Sequence, residues 1–204
     1  MIEVELKLQV NNFPNFKKLE CLKKSKVLDI YYDTPNYNLI STGNFLRNRD
    51  NKKIDFKLNI GDLSHTYCKE TSFLYNDFLP KTSIEQIFKS IGIEYNNKFK
   101  NFNEFLKVNN LKTLAKIDKY REVYKLDDLI ISLDNAKNIG KFIEIECDFP
   151  DNAEINKEEI KNYMLNKLNQ NGFSFDYSQV KIGYVELYLK QHNPKAYNLG
   201  LFKE

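Results

Sequence analysis

From its second residue the chain alternates oily and ionic side chains: Ile2, Val4, Leu6 and Leu8 are separated by Glu3, Glu5 and Lys7. Successive side chains of an extended strand point to opposite faces, so this run dictates a β-strand with one apolar and one charged side. A helix would scatter both kinds around its circumference. The same period recurs over 28–33, 44–50, 53–60, 65–73, 117–126, 129–134 and 141–149. With 2–10 this predicts about eight strands, clustered enough for an antiparallel α+β domain.

Helical spacing fills the intervals. Residues 14–24 align Phe16, Leu19 and Leu22. Residues 83–92 align Ile84, Ile87, Phe88 and Ile91, with Ser83 as an N-cap and Gly92 as a stop. A shorter helix is expected over 101–109. Another over 157–171 carries Ile160, Tyr163, Met164, Leu165 and Leu168 and stops near Gly172, and an aromatic-rich one over 184–191 precedes Pro194. The stretch 93–112 has the least pattern, which makes it the expected hinge between two halves of one sheet system. At 204 residues the chain fits a single domain spanning 1–204.

The ionic faces sort by sign. Arg47 and Arg49 share one face, Asp55 and Lys57 oppose Ile54, Phe56 and Leu58, and Lys119 lies with Arg121. Ser132 pairs with Asp134, and Glu144, Glu146 and Asp148 alternate imperfectly with Phe142 and Ile145. Any one such face is what the solvent side of an antiparallel sheet looks like. Grouping like charges strand by strand, however, is costly unless an ionic guest compensates them. Glu3, Glu5, Asp134, Glu144 and Glu146 are hard oxygen donors suited to Mg²⁺ or Mn²⁺. Lys7, Arg47, Arg49, Lys57, Lys119 and Arg121 are phosphate donors, the arginine fork matching phosphoryl oxygens. With two divalent ions bound, this set would carry about the positive charge that a triphosphate chain opposes.

Other chemistries find less support. There is no Walker A loop, no G-x-G-x-x-G and no G-x-S-x-G, so phosphate recognition falls to side-chain cations. Two histidines, His65 and His192, argue against a His-based zinc or iron site. The net charge of +3 without a basic arm argues against a nucleic-acid partner. No apolar run reaches the roughly 20 residues of a membrane span. Three scattered cysteines (Cys21, Cys68, Cys147) and a start, Met1-Ile2-Glu3-Val4-Glu5, unlike a signal peptide lead to the expectation of a cytoplasmic protein with reduced thiols.

Glu3-x-Glu5-x-Lys7 resembles the E-x-E-x-K signature of the CYTH domain, or triphosphate tunnel metalloenzyme, superfamily. The resemblance continues in order through Tyr31-Tyr32-Asp33-Thr34-Pro35, Leu39, Phe45-Leu46-Arg47-x-Arg49, Phe56-Lys57 and Lys69-Glu70. It goes on through Lys119-x-Arg121, Leu133-Asp134, Gly140-x-Phe142-x-Glu144-x-Glu146, and Lys181 before Tyr184, covering residues 2 to about 190. It implies a closed eight-stranded antiparallel barrel, a tunnel holding triphosphate, with helices packed outside. It also implies metal-dependent hydrolysis of inorganic or thiamine triphosphate, with Mg²⁺ or Mn²⁺ as cofactor, two ions in all. Carried over by motif, Glu3, Glu5, Asp134, Glu144 and Glu146 look like the metal ligands. Lys7, Arg47, Arg49, Lys57, Lys119, Arg121 and Lys181 look like the substrate-binding set, with Glu3, Glu5, Lys7 and Glu146 closest to the chemistry. Glu70 matches a further acidic position, and Asp33 and Thr34 read as architectural.

The C-terminal run Tyr188-Leu189-x5-Pro194-x2-Tyr197 and the aromatic-Leu-Arg-x-Arg form look more like the thiamine triphosphatase branch, although that branch typically has Trp where this chain has Phe45. Two alternatives stay open: a class IV-type adenylate cyclase, and a sensor that binds polyphosphate or nucleotide without turnover. The cyclases commonly begin His-Phe-Glu, from which Met1-Ile2-Glu3 departs. A small-molecule triphosphate is the expected partner, with no membrane and no nucleic acid.

Overall fold

The structure, a computed structural model, describes residues 2–59, 68–77, 82–149 and 156–203. In chain order the elements are β1 (Ile2–Val10), β2 (Glu20–Asp33), α1 (Asn38–Ser41), β3 (Phe45–Arg49), β4 (Lys53–Asn59) and β5 (Cys68–Leu74). Then come α2 (Thr82–Ser90), α3 (Phe102–Val108), β6 (Lys112–Leu126), β7 (Leu129–Ala136), β8 (Gly140–Phe149) and α4 (Lys157–Gln170). The chain ends with β9 (Ser178–Val180), α5 (Tyr184–His192) and α6 (Pro194–Leu199). Among the described residues no helix is long and apolar enough to cross a membrane.

The strands run in the order β5-β4-β3-β2-β6-β7-β8-β1-β9. This corrects the expected closed eight-stranded barrel: among the described residues nine strands lie in a row, with β5 and β9 at its edges. Closure needs a partner on both sides of every strand. Here β1 takes β8 on one side and β9 on the other, Lys7 facing Val180, and no described ladder joins β9 to β5.

Two compact units make up the chain: unit 1 is Met1–Val27 with Asp118–Lys181, and unit 2 is Leu28–Ile117 with Ile182–Glu204. The division therefore falls within β2 and β6, not in the stretch 93–112. That stretch is tied down instead. Asn101 caps α3 by accepting from the Glu104 N–H at 2.9 Å, Asn109 accepts from the Asn96 N–H at 2.7 Å, and Phe99, Phe102, Phe105 and Leu111 are buried.

A second correction concerns 14–24, where no helix forms. Asn15 accepts the Lys17 N–H, and the Leu19 N–H returns to the Phe16 carbonyl, so the chain turns there and enters β2 at Glu20. Phe16 leaves the helical pattern to pack on Phe173, ring centroids 4.5 Å apart, while Leu22 stays exposed. The other helical expectations coincide with α2 to α5. Gly92 and Gly172, at φ +68° and +80°, sit in the left-handed conformation that ends α2 and α4. The side chain of Ser83 and the start of the 65–73 strand lie outside the described residues.

Each unit covers the apolar side of its strands with helices. In unit 1, Val4, Leu6 and Leu8 of β1, Ile131 and Leu133 of β7, and Ile143 and Ile145 of β8 meet Ile160, Met164 and Leu168 of α4. In unit 2, Leu46, Ile54 and Phe56 meet Ile84 and Phe88 of α2 and Phe102 and Phe105 of α3. Burying each such side chain contributes about 1.5–3 kcal/mol, and it leaves the opposite side of these strands to the ionic residues and the few aromatics among them.

Candidate functional site

Register assembles the ionic face of unit 1. Glu5 lies opposite Glu146 and Lys7 opposite Glu144 across β1 and β8, Ser132 opposite Glu144 across β7 and β8, and Arg121 opposite Asp134 across β6 and β7. Carboxylate oxygens of Glu5, Glu144 and Glu146 come within 4.8 Å of one another. Lys7 Nζ is 2.8 Å from Glu5 and 3.2 Å from Glu144. Arg121 donates from Nε to Asp134 Oδ1 at 2.7 Å and from Nη2 to Oδ2 at 2.5 Å, and Nη2 also pairs with Glu144. Lys119 Nζ completes Asp134 at 2.8 Å.

Asp134, Lys119 and Glu144 are buried beside the buried hydroxyl of Ser132, and charges so placed persist only when partnered. Burial alone would lower the Lys7 pKa, but Glu5 and Glu144 outweigh it and hold the ammonium above its usual range. Burial alone would likewise raise that of Glu144. Lys7, Arg121 and Lys119 reverse this and hold the carboxyl well below the usual carboxylate range. Glu144 is therefore an anion and Lys7 a cation at any physiological pH.

Three hard oxygen donors gathered this closely fit a divalent cation of the Mg²⁺ or Mn²⁺ kind. Asp134, expected among the ligands, is not one of that group of three; its oxygens are engaged by Lys119 and Arg121, and Arg121 also links it to Glu144. Glu3 lies in β1 opposite Asp148, and its side chain is outside the described residues. Phe142 falls on the carboxylate face opposite Asp134, so the apolar face of β8 is Ile143, Ile145 and Cys147. On the other side of β6, a cavity of about 290 Å³ lies among Phe13, Phe16, Lys24, Tyr120, Glu122 and Tyr124.

Unit 2 builds its own ionic face. Tyr31, Arg47, Asp55 and Ser72 line up across β2, β3, β4 and β5, Asp29, Arg49 and Lys53 form the next row, and Phe45, Lys57 and Glu70 another. Arg47 donates from Nε at 3.0 Å and Nη2 at 2.6 Å to Asp55 Oδ2. Its Nε is 3.8 Å from Asp29 and its Nη2 4.0 Å from Glu70. Arg49 grips Asp29 with Nε at 2.7 Å and Nη2 at 3.0 Å. Glu70 pairs with Lys53 at 3.1 Å and Lys57 at 3.2 Å. Burial opposes the Asp55 charge, yet Arg47 and its other donors bring the carboxyl down to about 2.

Asp33 is architectural: its buried carboxylate accepts from the backbone N–H groups of Thr34, Leu39 and Ile40 and so holds α1. Phe45 packs edge-on to Tyr31 and stacks on Phe202 at 6.1 Å. Lys181 is exposed directly after β9, and His65 lies outside the described residues. Asp29 was not foreseen as part of any site. The available signal was a lone carboxylate inside the apolar run from Val27 to Tyr32.

The profile of the CYTH domain matches residues 1–170. A protein of Methanocaldococcus jannaschii named as a candidate adenylate cyclase is 27% identical over 193 residues, 92% of this chain and 98% of that one. A solved structure from Pyrococcus horikoshii superposes with a TM-score of 0.59 at 24% identity, covering 93% of this chain and 99% of that one. Another, a candidate adenylyl cyclase from Hippeastrum reported to have a dominant triphosphatase activity, gives 0.58 at 18% identity, covering 93% and 96%. At such identities the structural likenesses establish the fold.

Proposed function

The chain belongs to the CYTH domain family, and from that premise we propose that it is a metal-dependent triphosphatase releasing inorganic phosphate. The observation that carries this reading is the gathering of Glu5, Glu144 and Glu146 within 4.8 Å, with Lys7 bonded to two of them. A hard-cation site and a phosphate-binding ammonium then share one face. Glu5, Glu144 and Glu146 would hold Mg²⁺ or Mn²⁺. When bound, such an ion supplies charge neutralisation and a more acidic water.

The protein's own groups do the rest. Phosphoryl transfer spreads charge over the equatorial oxygens in a loose transition state, so catalysis is chiefly positioning and electrostatics. Lys7, Lys119 and Arg121 are fixed by their carboxylates before substrate arrives, and each can exchange part of that pairing for a phosphoryl oxygen. Arg47, Arg49 and Lys57 of unit 2, and Lys181, are proposed as further phosphate-binding residues. Inorganic triphosphate is favoured over thiamine triphosphate because the Phe45 ring is already packed on Tyr31 and Phe202, which leaves it poorly placed to stack on an organic group.

Phosphate release should be measured from tripolyphosphate, thiamine triphosphate, ATP and pyrophosphate with Mg²⁺ or Mn²⁺. Turnover of tripolyphosphate is expected. Glu146→Gln should lower it about a hundredfold or more with the circular dichroism spectrum unchanged, and a fully active variant contradicts the carboxylate assignment. The Methanocaldococcus relative's name favours a second reading, cyclisation of ATP, which cyclic AMP formation from Mg–ATP would select. Tight tripolyphosphate binding with no phosphate release would select a sensor.

A further inference from the structure

Three arginines of the ionic faces are held by the same edge. Arg121 presents Nε and Nη2 to Asp134, Arg49 presents them to Asp29, and Arg47 presents them to Asp55. An arginine gripped this way has its fork oriented by the carboxylate, and among the described residues the hydrogen bonds of Arg47 to Asp55 and of Arg49 to Asp29 use Nε and Nη2 and not Nη1. Asp134 belongs to the carboxylate-rich face of unit 1, whereas Asp29 and Asp55 have no part in the proposed chemistry.

Both are nonetheless committed. Asp29 and Asp55 are 2% and 0% exposed. Asp55 is itself braced: its Oδ1 accepts from Ser72 Oγ at 2.8 Å and lies 3.0 Å from Lys53 Nζ. Asp29 reaches both arginines, at 2.7 Å from Arg49 Nε and 3.8 Å from Arg47 Nε, so it screens two like charges that share one strand face. A buried ion pair is a poor source of stability compared with apolar packing, so stability alone is weak reason for this arrangement. Rigid presentation is a better one, since an immobilised side chain has less rotamer freedom left to lose when a ligand binds.

We propose that Asp29 and Asp55 are positioning residues that aim the Arg47 and Arg49 guanidinium groups at phosphoryl oxygens of the substrate. This deepens the triphosphatase reading and rests on it. Neither aspartate touches substrate; each acts through its arginine. The carboxylate of Asp55 stays ionised throughout the neutral range, so its grip does not loosen with pH.

Tripolyphosphate binding to the full chain, measured by calorimetry, tests this through a double-mutant cycle. Asp55→Asn is expected to weaken binding about tenfold in the wild-type background, and to have no further effect once Arg47→Ala is present. Asp29→Asn with Arg49→Ala is the parallel cycle, and it decides the matter if Asp55→Asn fails to fold. Equal losses in both backgrounds make the aspartates merely structural and overturn the proposal. Tighter binding by Asp55→Asn overturns it too, because the carboxylate would then be a competitor of the substrate. A wild-type chain that binds no tripolyphosphate overturns the function and this inference together. Normal wild-type binding beside an Asp→Asn protein of unchanged affinity overturns the inference alone.

Discussion

The ionic faces of the two units use the same side chains in opposite arrangements. Unit 1 gathers carboxylates, Glu5, Glu144 and Glu146, and sets Lys7 and Arg121 at their edge. Unit 2 centres on a cation, with Arg47 among Asp29, Asp55 and Glu70. Yet both start from one device, a hairpin in which a cation-x-cation strand faces a buried aspartate: Arg121 opposite Asp134, and Arg47 opposite Asp55. What differs is the next strand along. β8 and β1 bring Glu144, Glu146 and Glu5 to the first hairpin, whereas β5 and β2 bring Ser72, Glu70 and Asp29 to the second. A carboxylate excess suits a metal and a cation excess suits a phosphate, so neighbouring strands decide what a shared hairpin can bind.

The shared device gives the largest expected effect. Asp134→Ala removes the carboxylate that buried Lys119 and half-buried Arg121 share, and Asp55→Ala removes the shortest ion pair of buried Arg47. Either change should cost about 3–5 kcal/mol of unfolding free energy in urea titrations. A loss near zero in one unit only would show that the hairpins are alike in register but not in energetics.

The difference between the units predicts the next effect. Mg²⁺ or Mn²⁺ at a hundredfold excess over its dissociation constant should stabilise the protein by about 2.7 kcal/mol, read as a rise in Tm. Glu146→Gln should abolish that rise and Glu70→Gln should leave it. The reverse result would move the metal to unit 2 and break the comparison.

How far this was legible in the sequence depends on what register contributes. Period two shows that Glu5, Lys7, Glu144 and Arg121 share the ionic sides of their strands, because the pleat alone decides that. It cannot show that Lys7 faces Glu144 or that Asp55 faces Arg47, since those pairings depend on hairpin register between separate strands. Asp29 was hidden for that reason: its meaning comes from Arg49 across the ladder, twenty residues away. Phe142 misled in the other direction, an apolar residue on the carboxylate face. The false helix over 14–24 arose because Phe16, Leu19 and Leu22 fit a helical stripe, whereas Asn15 and the demand of the core for Phe16 made a turn. Eight strands out of order with a ninth could not be counted from periods alone, because β9 has only three residues.

Acid should act on both faces in the same direction. Asp55 falls from an ordinary value of 3.8 to about 2 in the folded protein, and Glu144 is lowered too. A carboxyl with a depressed folded pKa contributes stability that is complete above its unfolded value and lost as pH falls through the folded one. For Asp55 this amounts to about 2 kcal/mol, disappearing between about pH 4 and pH 2. Asp55→Asn should flatten that limb of the stability profile, measured by urea unfolding across the window. An unchanged slope would assign the acid sensitivity to unit 1.

The smallest effect sharpens the contrast between buried and half-open pairs. Glu70 and its partners Lys53 and Lys57 keep 31%, 42% and 32% of their side-chain surfaces exposed. Water screens such pairs, and holding long side chains in one geometry costs entropy, so Glu70→Gln should change stability by only about 0–1 kcal/mol. Salt then separates the two classes. In about 1 M NaCl the Debye length shrinks to about 3 Å, so the Glu70→Gln difference should vanish. The Asp134→Ala deficit should persist, because the carboxylate it removes is buried and its pairing with buried Lys119 does not act through solvent. Urea titrations at low and high salt compare the two directly, and a Glu70→Gln loss that survives high salt would place Glu70 with the buried, structure-determining carboxylates.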